Sequence, residues 1–140
     1  MSAEQNKAVV RRFHELFDQG DIDGIEALLD PNCIAHRAGS PPLSRDAFKQ
    51  LGMMFAAAFT EGKSTLEDMV AENDMVCYRG TWSATHRADF NGIPATGKRV
   101  TIEFIVMDRF VNGKIIENWE QADMLGLMQQ PGIIPAPQAG

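Results

Sequence analysis

Apolar residues recur at helical spacing over the first sixty positions and alternate over most of the rest. Val9, Phe13, Leu16 and Phe17 fall on one side of a helix that begins at a Ser2/Gln5 capping box and stops at Gly20. Asp21 caps a second, shorter helix whose stripe is Ile22, Ile25, Leu28 and Leu29, and Asp30-Pro31 ends it. Residues 32–36 predict a short extended piece and "AGSPPL" a loop. Ser44 then caps a third helix that carries Phe48, Leu51, Phe55 and Phe59 and closes at Gly62. Past Gly62 the period drops to two, which predicts strands over 64–72, 75–90, 98–111 and 114–124.

The connection "FNGIPATG" is turn-rich, and Asn112-Gly113 is a strong two-residue hairpin signal, so the strands should form an antiparallel meander. Helices followed by an antiparallel sheet make an α+β architecture, with the sheet curling around the long helix. One domain over 1–132 is expected, with a loosely held Pro/Gly/Ala-rich tail at 133–140.

The hairpin also assigns faces. With Val111 opposite Lys114, Ile116 falls opposite Arg109, Asn118 opposite Met107 and Glu120 opposite Ile105. One face then carries Ile105, Met107, Ile116, Asn118 and Glu120, and the other Phe104, Val106, Phe110, Ile115 and Trp119. A register shifted by a bulge would instead put Glu120 opposite Phe104 or Val106. In either register Asn118 and Glu120 share a face, whereas Glu117 and Asp123 read as surface acids. Both faces are apolar, so one should lie under the helices and the other against a second subunit.

Charge and composition narrow the function. A net charge of −6 without a Lys/Arg cluster leaves no footprint for nucleic acid or an anionic membrane. The start "MSAEQNKAVVRRF" has no apolar signal core and no apolar run is long enough to span a bilayer, so a cytoplasmic protein is expected. Cys33 and Cys77 lack metal-ligand spacing and are read as buried free thiols. With no phosphate loop, nucleophile elbow or metal cluster, the reading is chemistry without cofactor or metal.

Within "IIENWEQAD", Glu120 is the candidate base: a carboxylate among apolar neighbours is poised to take and return a proton. Asn118 and His36 are candidates to orient or polarise an oxygen. Phe13, Met54, Arg79, Trp82, Ile105, Met107 and Ile116 are candidates to touch a small apolar or aromatic ligand, although Arg79 and Trp82 lie on opposite faces of an unbroken strand. His14 is expected on the outer face of the first helix and His86 as a structural histidine.

The runs "GTWSATHRADFNGIPATGKRV" and "DRFVNGKIIENWEQADMLGLMQQ" resemble the SnoaL-like polyketide cyclases of the nuclear transport factor 2-like superfamily. The resemblance covers about residues 5–130. It rests on Ala84-Thr85-His86 with Gly92-Ile93-Pro94-Ala95-Thr96-Gly97, and on the spacing from Arg109 to Gln129. It implies a cone-shaped barrel of strongly curved, mostly antiparallel sheet wrapped around three N-terminal helices, an apolar pocket, and a homodimer through the outer sheet face. It also implies aldol-type cyclisation, with a His-Trp-Asp run on the last strand supplying the acid. Asn118, Trp119 and Glu120 match that run: Glu keeps the acid one methylene further out, and Asn removes a titratable partner. His36 matches a histidine after the second helix. The other readings are a binding module without chemistry, or a hydrolase or isomerase of the same superfamily.

Overall fold

The computed structural model describes residues 2–130. The capping box forms as the sequence predicts, with Ser2 and Gln5 bonded reciprocally at the start of α1 (Ala3–Gln19), and Gly20 closes it at φ +74°. Asp21 caps α2 (Ile22–Glu26) through Gly24 N. This helix is shorter than its apolar stripe suggests, because Leu29 already starts β1 (Leu29–Arg37). After the two-residue β2 (Leu43–Ser44), Ser44 caps α3 (Arg45–Ala58). Phe59, counted above on that helix, instead opens β3 (Phe59–Glu72), so helix gives way to strand three residues before Gly62. The chain continues through β4 (Met75–His86), β5 (Arg99–Val111), β6 (Lys114–Ala122) and a last short helix, α4 (Met124–Gln129), which the alternation did not signal.

The six strands form one sheet in the order β2-β1-β6-β5-β4-β3. The meander from β3 to β6 is antiparallel, while β1 returns from the helices to lie parallel to β6. Helices line the inner face of the curled sheet, as expected for the cone-shaped α+β class. Val10 and Leu16 of α1, Phe48 of α3 and the even-numbered residues of β5 from Val100 to Phe110 are buried there, with Asp108 the polar member of that β5 run. No helix among the described residues is long and apolar enough to cross a membrane. The tail expected at 133–140 lies outside the described residues.

The hairpin turn forms as expected, with Asn112 and Gly113 both at positive φ and Val111 opposite Lys114. One step further the unbulged register fails. Phe110 pairs with Ile115 and Arg109 with Glu117, which leaves Ile116 as an extra residue in β6. From there Asn118 faces Asp108 and Glu120 faces Val106, the pairing of the bulged alternative.

Candidate active site on the concave face

Strand register brings the polar groups together. On the inner face, Tyr78 of β4, Val106 of β5, Glu120 of β6 and Arg37 of β1 form one row across the sheet. The adjacent row runs Val76, Asp108, Asn118 and Ala35. Between this face and helices α1 and α3 lies a cavity of about 480 Å³, a size suited to a small organic molecule. Its walls are mostly apolar: Phe13 and Phe17 of α1, Met54 and Phe55 of α3, and Trp82, Ile102 and Phe104 of the sheet. His14, Arg37, Ser64 and Glu120 are among the polar groups that reach it.

Arg37 is held from several sides. Its Nη1 donates to Asn118 Oδ1 at 2.6 Å and to the His36 carbonyl oxygen at 3.0 Å, and its Nε lies 3.0 Å from Glu120 Oε2 in an ion pair. The guanidinium also covers the Phe48 ring, 4.9 Å from its centroid. Nη2 makes no hydrogen bond among the described residues, so its donors remain for a guest in the cavity. Glu120 likewise accepts no hydrogen bond there; Arg37 is its close charged partner.

Behind this pair, Asn118 Nδ2 donates to Asp108 Oδ1. Asp108 is 1% exposed, and burial pushes its carboxyl up to about 7; the charge of Glu120 adds to the rise, while the Asn118 bond and Arg37 oppose it. Toward the helices, His14 Nε2 lies 2.9 Å from the Tyr78 hydroxyl, and burial lowers the imidazole to about 4. Burial also raises the Tyr78 phenol well above its usual range. Near neutral pH the dyad is thus an uncharged imidazole against an uncharged phenol, with His14 on the cavity wall.

The structure sorts the residues singled out by sequence. Glu120, Phe13, Met54 and Trp82 line the cavity. Asn118 lies on the inner face but outside the cavity lining, with one Nδ2 N–H directed to Asp108 and its Oδ1 accepting from Arg37, so its contacts are to protein groups. His36 points outward, because it alternates with Ala35 and Arg37; it bonds Glu117 Oε2 at 2.8 Å and stacks on Trp119. Ile105 and Met107 are on the convex face, 56% and 42% exposed, since the bulge moves Asn118 and Glu120 to the opposite side from them. Ile116 is the bulged residue itself and lies outside the cavity lining. Arg79 is exposed on the convex face with its Nε 2.6 Å from Asp68. His14 overturns its outward placement: Val10, His14 and Phe17 follow i, i+4, i+7 spacing, the stripe that faces the sheet.

Arg37, Asp108 and Tyr78 escaped the sequence reading, though signals existed. Asp108 shares parity with Phe104, Val106 and Phe110, so an acid on an apolar face was visible in "EFIVMDRF". Arg37 follows Cys33 and Ala35 at strand period, a charge ending a buried alternation. Nothing local to β1 announced that it would pair in parallel beside Glu120.

Together the curled sheet, the helices within its bend and the ligand-sized cavity define an α+β cone with a charged pair on its wall. Residues 7–131 match the family model of the SnoaL-like polyketide cyclases, and the chain belongs to that family. It is 30% identical over 132 residues to the aklanonic acid methyl ester cyclase DnrD of Streptomyces peucetius, covering 89% of this chain and 88% of that one. The cyclase DauD of Streptomyces sp. strain C5 is also 30% identical, with 89% and 80% covered. Among solved structures, AclR from Streptomyces galilaeus, provisionally assigned as a hydroxylase, superposes with TM-score 0.89 at 27% identity over 98% of this chain and 91% of its own. IdmH from Streptomyces antibioticus superposes with TM-score 0.79 at 26% identity, over 91% and 99%.

Proposed function

We propose that this protein is a cofactor-independent enzyme that closes a ring by intramolecular aldol-type addition in a carbonyl-bearing, largely apolar molecule. The observation that carries this reading is the Glu120–Arg37 pair on the wall of an otherwise mostly apolar cavity. Glu120 takes a proton from the carbon next to a carbonyl, and the electron pair of that C–H bond passes to the carbonyl oxygen as an enolate. The Nη2 donors of Arg37 stabilise that oxygen as charge develops on it. The enolate carbon then forms a C–C bond to a second carbonyl carbon of the same molecule, whose oxygen receives the proton back from Glu120. The cyclase activity of the two 30% identical relatives supports this class of reaction.

Glu120→Gln tests it with aklanonic acid methyl ester as first substrate. The expected result is a fall in kcat of about 10²–10⁴-fold with ligand affinity, read by quenching of tryptophan fluorescence, nearly unchanged. Undiminished turnover in the variant would remove Glu120 from the reaction. Binding by the wild-type chain without product would instead favour a pocket without chemistry.

We also propose that two copies pair through the convex face of the sheet, where Ile34, Val70, Ile105 and Met107 are exposed together.

A further inference from the structure

Asp108 does not line the 480 Å³ cavity, yet it is a fully buried acid one row behind the charged pair. An apolar side chain at this place in β5 would avoid the cost of burying a carboxyl. The contacts show what the acid does there. Asn118 carries a donor and an acceptor on one planar amide: its Nδ2 faces Asp108 Oδ1, and its Oδ1 faces Arg37 Nη1. A flipped amide would put an NH₂ group against a guanidinium N–H, donor against donor, and push Arg37 off the wall. The acceptor at Asp108 selects the orientation that holds Arg37 in place.

We propose that Asp108 is a positioning residue that acts through Asn118 to set where Arg37, and with it Glu120, stands on the cavity wall. The inference rests on the reading of Arg37 and Glu120 as the reacting pair, and it adds a third layer to it. The reacting groups are then the near end of a chain of contacts that runs from Glu120 through Arg37 and Asn118 to a buried acid on another strand.

The groups facing Asp108 are Tyr78 on β4, Asn118 and Glu120 on β6, and Cys33 and Arg37 on β1, with His14 on α1 behind Tyr78. Burial pushes Tyr78 well up, Cys33 up to about 11 and His14 down to about 4, so these three titrate far from neutrality. Asp108 itself titrates at about 7, and its change of charge should reach Arg37 through the Asn118 amide.

The Nε–H signal of Arg37 in the ¹⁵N-labelled full chain, assigned by its loss in Arg37→Lys, reads the positioning directly. In the wild type its exchange with solvent should be at least about 10-fold slower than that of exposed Arg11, and its shift should follow one titration near pH 7. Asp108→Leu should speed the exchange about fivefold or more and abolish the titration. Asp108→Asn keeps an acceptor oxygen, so it should keep slow exchange and lose only the titration. Val76→Ala loosens the packing beside Asp108 without touching the contacts, and should leave both readouts unchanged.

A signal that behaves as wild type in both Asp108 variants overturns the proposal, as does Val76→Ala moving it as far as Asp108→Leu. If Asp108→Leu fails to fold, retention of the titration in Asp108→Asn is enough to overturn it. No arm depends on turnover, so failure here leaves the Glu120→Gln test standing, and the reverse holds too.

Discussion

His14 and Asp108 are both buried near Tyr78, and their burial acts on stability in opposite directions as pH changes. The imidazole takes a proton near 6.5 when unfolded and near 4 when folded, so between these values the unfolded chain binds more protons. Its contribution is complete above 6.5 and is lost as pH falls through the window toward 4. Asp108 rises from 3.8 to about 7, so between those values the folded chain binds more protons, and stability is lost as pH climbs through the window. The effects are on the order of 3 kcal/mol for His14 and about 4 kcal/mol for Asp108, and over pH 4.5–6.5 they largely offset. Urea unfolding of the two variants against wild type should separate them. Asp108→Asn should gain relative to wild type as pH rises from 4.5 to 6.5, and His14→Gln should gain as pH falls over the same range. Parallel profiles for all three chains would show that neither group titrates as its surroundings dictate.

At the scale of elements, the sheet's inner surface depends on where backbones come close. Gly80 lies on the inner face of β4 between Leu66 and Phe104. A Cβ there would overlap the Thr65 carbonyl oxygen and sit 3.0 Å from the Phe104 ring. Gly80→Ala should therefore destabilise the fold by about 2 kcal/mol or more, measured by urea unfolding, because β3 cannot move away without losing its pairing. A change within about 0.5 kcal/mol would mean that β3 gives way freely. Such local signals made most elements legible: the Ser2 and Ser44 caps, the Gly20 stop and the Asn112-Gly113 turn are settled by neighbours in sequence. The site was less so. Glu120 was found because strand parity survives any register, but its company on the inner face depended on the Ile116 bulge, which no residue type marks. His36 and Arg37 differ by one position on β1; the buried alternation of Cys33 and Ala35 hints at Arg37, but only the parallel pairing with β6, a contact between residues some eighty positions apart, sets it beside Glu120.

For the whole molecule, the proposed pairing turns on the convex face. Val70, Cys77, Met107, Trp119 and His36 form one row across five strands, from β3 to β1. The next row carries Asp68, Arg79, Ile105 and Gln121, and the row on the other side Glu72, Met75, Arg109, Glu117 and Ile34. The middle row is apolar and aromatic, and charges of both signs flank it, so the face suits a second copy of itself turned about a twofold axis. Ile105 and Met107 lie at its centre and are open in the single chain, so replacing both with Glu costs the isolated fold little. In the paired form the same change buries like charges against each other, with a cost that should raise the dimer dissociation constant at least ~100-fold. Sedimentation at micromolar concentration should show the wild-type chain at twice its 15.5 kDa mass and the Ile105→Glu, Met107→Glu chain at 15.5 kDa with unchanged circular dichroism. A wild-type chain that sediments as a monomer would leave this face bare and remove the second copy as its cover.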